Sequence, residues 1–175
     1  IPPLEAWVAD FVDRRYGRPS PQAQHAWKLL LDSVYHTPSA VSSPLCSRPQ
    51  AGTGNWLNAS LPYDPQVLVS AGRALLACAP ELGTLDTYRF DLVNVTRQAL
   101  SNHSIELHKT LMNAVQAKDR AGVRAAGENF LALGRHMDEL LATRGEFLLG
   151  RWLEDAKRWA RTDAERRLYE WNVRN

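Results

Sequence analysis

From about Asp86 to Lys118 the chain carries neither proline nor glycine, and no other feature constrains the fold as much. Proline breaks a helix interior by removing an N–H and clashing with the preceding turn, and glycine weakens it by about 1 kcal/mol. A stretch this long without either can propagate as one helix. Val93, Leu100, Leu107 and Ala114 recur every seven residues, with Phe90 and Leu111 on companion positions. Leu92, Val95 and Ala99 broaden the apolar face. The pattern predicts a long helix at the centre of the domain.

Shorter helices flank it. Leu4, Trp7, Val8, Phe11 and Val12 share one helix face, and Gly17 follows where a left-handed cap would sit. Ser20 offers an N-cap oxygen before Pro21, and Ala23, Ala26, Trp27, Leu30, Leu31 and Val34 form a second stripe that ends near His36-Thr37-Pro38. Asp64-Pro65 opens a third helix, lined by Leu68, Ala71, Leu75 and Cys78, which stops before Pro80. Beyond the long helix, Asp119 caps another in which Val123, Ala126, Phe130, Leu133, Met137 and Leu140 alternate three- and four-residue steps. Its expected antiparallel partner is the long helix, with Gly127 and Gly134 allowing close approach. A sixth helix carries Leu149, Trp152, Leu153 and Ala156, and Thr162-Asp163-Ala164-Glu165 is a capping box that opens a seventh with Leu168 and Trp171. The expected fold is therefore all-α, an antiparallel bundle or array of six to seven helices.

One segment has no period. From Thr37 to Pro62 the chain turns to Pro, Ser, Gly, Thr and Asn, the composition of a long loop. It holds Trp56 and the Asn58-Ala59-Ser60 sequon. Two further sequons, at Asn94 and Asn102, fall inside the predicted long helix. Cys46 and Cys78 belong to no C-x-x-C pair, so they are either bonded to each other or two separate thiols. The chain opens on Ile1-Pro2-Pro3 with no signal-peptide pattern and closes at Asn175 on an amphipathic turn, and a longer polypeptide is expected on both sides.

Several functions lack the residues they need. Twenty-one basic against nineteen acidic residues leave a net charge of +2, too little to favour nucleic acid or an anionic membrane. The apolar runs fall far short of the roughly 20 residues that span a bilayer. His25, His36, His103, His108 and His136 form neither Glu-x-x-His nor His-Glu-x-x-His spacing, so no metal site and no cofactor are expected. His103 and His108 are read as surface or capping histidines. No Gly-x-Ser-x-Gly elbow and no phosphate loop occur. The basic stretch Arg151 to Arg174 is interleaved with Glu154, Asp155, Asp163, Glu165 and Glu170, the pattern of a solvated salt-bridged face.

Three residues stand out. Arg97 falls on the heptad seam where an apolar residue belongs, and a guanidinium there requires an acidic partner or a polar cleft. Asp91 lies on another part of the same helix surface. Pairing within the domain is the plainer explanation of both, and ligand contact the sharper one. Six tryptophans would suit stacking on sugar rings, but Trp7, Trp27 and Trp152 sit on core stripes, which leaves Trp56, Trp159 and Trp171 as candidate binding aromatics.

The segment Tyr88-Arg89-Phe90-Asp91-Leu92-Val93-Asn94-Val95-Thr96-Arg97-Gln98 resembles an Arg-Tyr-Asp-Leu-Val-Asp…Arg-Gln motif of the α-N-acetylglucosaminidases, glycoside hydrolase family 89. Phe147-Leu148-Leu149-Gly150-Arg151-Trp152-Leu153-Glu154-Asp155-Ala156 and Tyr169-Glu170-Trp171-Asn172 are similar to that family in the same order. Phe90 stands where the family has tyrosine, and Asn94 where it has aspartate. The resemblance implies that residues 1–175 are part of the all-α C-terminal domain of an exo-acting retaining hydrolase. Such an enzyme removes terminal α-linked N-acetylglucosamine, as from heparan sulfate, in a lysosomal, secreted or periplasmic setting. Its two catalytic glutamates lie on a preceding (β/α)₈ barrel, so no catalytic residue is assigned here and the segment alone is expected to be inactive. The barrel of the same polypeptide and the glycan are the implied partners, with Arg97, Asp91 and Trp56 as substrate-facing or interdomain candidates. The competing reading is a self-standing helical interaction module without catalysis.

Overall fold

The computed structural model describes residues 2–36, 43–46 and 61–174. Among them run eight α-helices and two 3₁₀ turns, with no strand, as an all-α chain requires. The helices are α1 (Leu4–Tyr16), α2 (Pro21–Leu31), α3 (Pro65–Ala77), α4 (Ala79–Leu82), α5 (Asp86–Gln116), α6 (Arg120–Ala142), α7 (Leu149–Trp159) and α8 (Asp163–Arg174). The helix beyond the expected count is α4, a single turn with Pro80 in its first positions, where the missing N–H has no bond to lose. Pro80 thus starts a turn as well as ending α3. The second helix stops at Leu31, and Val34 lies in the turn that follows.

Predicted caps account for most of the boundaries. Ser20 Oγ accepts from the Ala23 amide at 3.4 Å, Asp64 Oδ1 from Gln66 at 2.8 Å, and Asp119 Oδ1 from Ala121 and Gly122 at 3.0 Å each. Before α8 the capping box closes both ways. The Glu165 amide donates to Thr162 Oγ1, and Glu165 Oε2 accepts from the Arg161 and Thr162 amides. Gly17 ends α1 at φ 69°, the left-handed conformation open to a residue without Cβ.

The chain divides into two compact units, Ile1–Met137 and Asp138–Asn175, with the division falling inside α6. In the larger, α3 packs between α2 and α5 while α1 leans on α2 and touches α5. Val12, Ala23, Ala26, Leu68, Ala71, Leu75 and Leu82 are fully enclosed at the centre. The Tyr88 hydroxyl donates to the Leu75 carbonyl at 2.7 Å, anchoring α5 on α3. Gly72 faces Val95 of α5, and a Cβ there would stand in ordinary contact at 3.6 Å from Val95 Cγ1.

The Tyr88 anchor narrows the face expected of α5. Tyr88 and Val95 lie in the core with Leu92 and Ala99 packed on it, and Val93 of the heptad is buried, whereas Leu100, Leu107 and Ala114 are only half-buried. The heptad stripe lies about 120° round the helix from Tyr88 at 3.6 residues per turn, so the side anchored by Tyr88 takes most of the core.

Helix α6 returns along α5 after a tight turn in which Lys118 takes φ 56°. His108 and Phe130 then face each other at 6.3 Å. The three-four seam of α6 is the covered face, with Ala126 and Leu133 buried. Gly127 and Gly134 do not serve close approach, since a Cβ at either would meet nothing within 4 Å. His108 departs from the surface histidine expected. Packing against α6 encloses its Nε2, which has no hydrogen-bond partner among the described residues.

In the smaller unit α7 packs on α8, and Lys157 pairs with Glu170 at 3.1 Å between them. Glu170 also accepts from Arg174 at 2.7 Å. Two tryptophans expected on core stripes are half-exposed or more: Trp7 stacks on Phe11 at the rim of the larger core, and Trp152 stands off the Leu153 side of α7. Trp27 is half-buried against the core as expected. Cys46 is exposed and Cys78 buried, and both are free thiols. No described helix is long and apolar enough to cross a membrane, and no described group of His, Cys, Asp and Glu has metal-site geometry.

Candidate functional site

Helix α5 carries two of the three singled-out residues, and the structure sends them in different directions. Asp91 turns toward α1 and is buried. Its Oδ2 accepts from Arg15 Nε at 2.5 Å and from the Tyr16 hydroxyl at 2.9 Å, while Oδ1 accepts from Arg15 NH2 at 2.7 Å. The Tyr16 oxygen in turn accepts from Trp27 Nε1 at 2.9 Å. One carboxylate therefore ties the last turn of α1, the middle of α2 and the first third of α5 together. The two-point geometry is the strong form of the Arg–carboxylate bond.

The electrostatics follow from that packing. Hydrogen bonding to Asp91 raises the Arg15 guanidinium above its usual value, against the lowering effect of burial. Burial pushes the Tyr16 phenol up, and the Asp91 charge raises it further against the hydrogen bond from Trp27. Tyr35 is raised in the same sense by burial and then by Asp91. Arg15 and the two tyrosines are thus all held in their protonated forms near neutral pH, and the cluster is a structural tie.

Arg97 lies roughly opposite Tyr88 and Val95 on α5, away from that tie. It is half-buried, and both Nε and NH2 donate to Asn94 Oδ1, at 3.1 and 3.0 Å. An amide oxygen thus takes the place of the expected acidic partner, at the position where the family pattern has aspartate. An amide orients the guanidinium but leaves its charge unneutralised. Further along, Asn102 is buried with its Nδ2 donating to the Tyr63 hydroxyl at 3.0 Å and its Oδ1 accepting from Gln98 at 3.1 Å. Ser104 is enclosed as well. The Asn102 sequon is therefore consumed by internal bonds and does not present an acceptor. Trp56 and the Asn58 sequon lie outside the described residues.

Arg15, Tyr16, Tyr63 and Asn102 were not among the sequence candidates. Tyr16 had a signal, because it continues the Val8 and Val12 stripe at the next four-residue step. Arg15 had none, since its partner lies 76 residues away.

Retaining glycoside hydrolysis requires two carboxyl groups roughly 5–5.5 Å apart across the scissile bond. The described clefts do not frame such a pair. One of about 180 Å³ beside α3 and α5 has Glu106 as its single carboxylate, facing Leu61, Val69, Asn102 and His103. Another, of about 320 Å³ between α1 and α2, has Glu5, which is tied to Lys28. A third, of about 300 Å³, has Glu154 and Asp155, but both are held in ion pairs on the outer face of α7. Among the described residues Arg97 is a half-buried guanidinium oriented by an amide, with no carboxylate paired to it.

A family model described as the alpha-N-acetylglucosaminidase (NAGLU) C-terminal domain matches residues 7–175. The chain belongs to this family. Human alpha-N-acetylglucosaminidase is 38% identical over 180 residues, which cover 99% of this chain and 24% of the human protein. A family 89 glycoside hydrolase from Clostridium perfringens has the same architecture, with a TM-score of 0.88 at 26% identity over 99% of this chain and 21% of its own. That enzyme is known in complex with 2-acetamido-1,2-dideoxynojirmycin, with PUGNAc and, as a variant, with its substrate GlcNAc-alpha-1,4-galactose. The chain spans about a quarter of the length of these relatives.

Proposed function

We propose that residues 1–175 are part of the all-α C-terminal domain of an exo-acting α-N-acetylglucosaminidase, and that they pack beside a catalytic (β/α)₈ barrel on the same polypeptide. In this reading the enzyme removes terminal α-linked N-acetylglucosamine, as from heparan sulfate, and the acid and nucleophile are supplied by the barrel. The Arg97 side of α5 walls the substrate cleft, and Trp56 is a further candidate for contact with the glycan.

What supports the reading is the family match over residues 7–175, joined to an Arg97 that Asn94 orients and that has no carboxylate partner among the described residues. A half-buried charge without a carboxylate is costly unless something else answers it, and a polar cleft is such an answer. Asp91, the second candidate, serves the same side indirectly by holding α5 in register against α1.

Steady-state kinetics on the full polypeptide test this. Arg97→Met should lower kcat/KM by about 10- to 100-fold, the loss of one charged hydrogen bond, with the melting temperature nearly unchanged. Unchanged kcat/KM in a folded variant would remove Arg97 from the cleft.

A further inference from the structure

Two arginines meet α5 through the same pair of donors and end in opposite electrostatic states. Arg15 offers Nε and Nη2 to Asp91, a carboxylate that cancels its charge. Arg97 offers Nε and Nη2 to Asn94 Oδ1, at 3.1 and 3.0 Å, and an amide oxygen cancels none. A guanidinium carries five N–H bonds in a fixed fork, so with two on Asn94 three remain, one on Nη2 and both on Nη1. The Nη1–Nη2 end of the fork is matched to the two oxygens of a carboxylate or a sulfate. No described residue occupies that end of Arg97, which is half-buried.

The surroundings supply no negative charge either. One and two turns away on the same side of α5 stand Phe90, Val93, Asn94, Leu100, Ser101 and Ser104, none of them acidic. Asp91 is held by Arg15 and Tyr16 on the side that faces α1. A 3₁₀ turn, Pro44–Cys46, packs on α5, with Ser43 Oγ 3.3 Å from Ser104 Oγ. The sequence around that turn, from Ser33 to Tyr63, contains no aspartate or glutamate.

We infer that Asn94 makes this site selective for charge: Arg97 takes an anionic group, carboxylate or sulfate, on the sugar that bears the terminal N-acetylglucosamine, and the neutral amide at position 94 maintains that preference. This rests on the proposed place of Arg97 in the substrate cleft. Asn94 holds the guanidinium in one orientation without neutralising it, so an anion meets both a full charge and donors already in place. A neutral sugar meets the donors alone. Aspartate has the shape of asparagine and accepts the same two bonds, but its charge cancels the one the substrate would otherwise answer.

Kinetics on the full polypeptide with three matched disaccharides test it. Each carries α-linked N-acetylglucosamine, on glucuronate, on glucose or on glucose 6-sulfate, so that only the group at C6 of the second sugar changes. For the better anionic substrate kcat/KM should exceed that for the glucose disaccharide by about 10- to 100-fold, the range of one charged hydrogen bond. Which of the two is better tells carboxylate from sulfate. Added salt should shrink the preference, and Asn94→Asp should abolish it. Equal kcat/KM on all three substrates, preference for the neutral one, or a folded Asn94→Asp that keeps the wild-type ratio would each overturn the inference. Arg97→Met separates this from the cleft reading and does not depend on how Asn94→Asp folds. A loss confined to the anionic substrates supports both, an equal loss on all three keeps Arg97 in the cleft and ends the selectivity, and no loss on any ends both.

Discussion

In the larger unit Val12, Leu68, Leu75 and Leu82 are wholly enclosed, while in the smaller one Leu153 alone among the described residues is buried, and caps and ion pairs carry the rest. Both stretches are amphipathic helices of similar pattern in the sequence, and each holds a helix with a recognisable cap, Ser20 before α2 and Thr162 before α8. The difference lies in how many neighbours answer each apolar face. In the first, α2, α3 and α5 answer one another. In the second, two short helices meet along one side, and each keeps an open flank. Periodicity alone does not distinguish a face that has its partner within the chain from one that does not.

The sharpest way to break this comparison is to hollow out each unit in turn. Leu68→Ala at the centre of the larger core should cost about 3–5 kcal/mol, whereas Leu168→Ala, at an exposed position of α8, should stay within about 0.5 kcal/mol. Urea unfolding of the chain measures both, and equal losses would contradict the division. Next in size is the tie at Asp91. Asp91→Asn keeps the shape but strands Arg15, and the loss should be about 3 kcal/mol, the lower end for breaking a buried pair because part of Arg15 reaches solvent. Thermal unfolding that left the midpoint unmoved would show the tie to be ornamental.

Thr162→Ala sharpens the smaller side of the comparison. Loss of the capping-box hydroxyl should cost about 1 kcal/mol, confined to α8. Amide exchange should speed up in Asp163–Arg174 and stay unchanged in Leu4–Tyr16. The mildest effect is alkaline. Burial raises Cys78 above an ordinary 9.0 and Tyr16 and Tyr88 above 10.0, so the unfolded chain releases these protons first. Stability should be complete below pH 9 and decline as the pH rises past 9 and then 10. Cys78→Ala should remove the first part of that decline in a pH series of unfolding midpoints, and stability that increased over the same range would reverse the sign.

Much of the fold is legible in local chemistry. Ser20, Asp64, Asp119 and Thr162 announce helix starts because a capping oxygen acts on amides two or three residues away. The register of α5 was legible only in part. Its sequence offers one broad apolar face, and Tyr88, bonded to the Leu75 carbonyl of α3, selects the Leu92, Val95 and Ala99 side of it. The candidate site divides the same way. Arg97 stands out because a charge interrupts a stripe, but Asp91 is understood only with Arg15 and Tyr16, which lie far off in the chain. Trp7 and Trp152 look like core residues by spacing, and the structure leaves both half-exposed or more because spacing assigns a face without supplying its neighbour.

In the proposed function these helices support a reaction whose catalytic carboxylates lie elsewhere on the polypeptide. Release of a chromophore from an α-N-acetylglucosaminide, followed with the 175-residue chain and with the full polypeptide at equal concentration, tests it most directly. The account predicts turnover by the full polypeptide and none above buffer by residues 1–175. Turnover that stays with the purified 175-residue chain would contradict it.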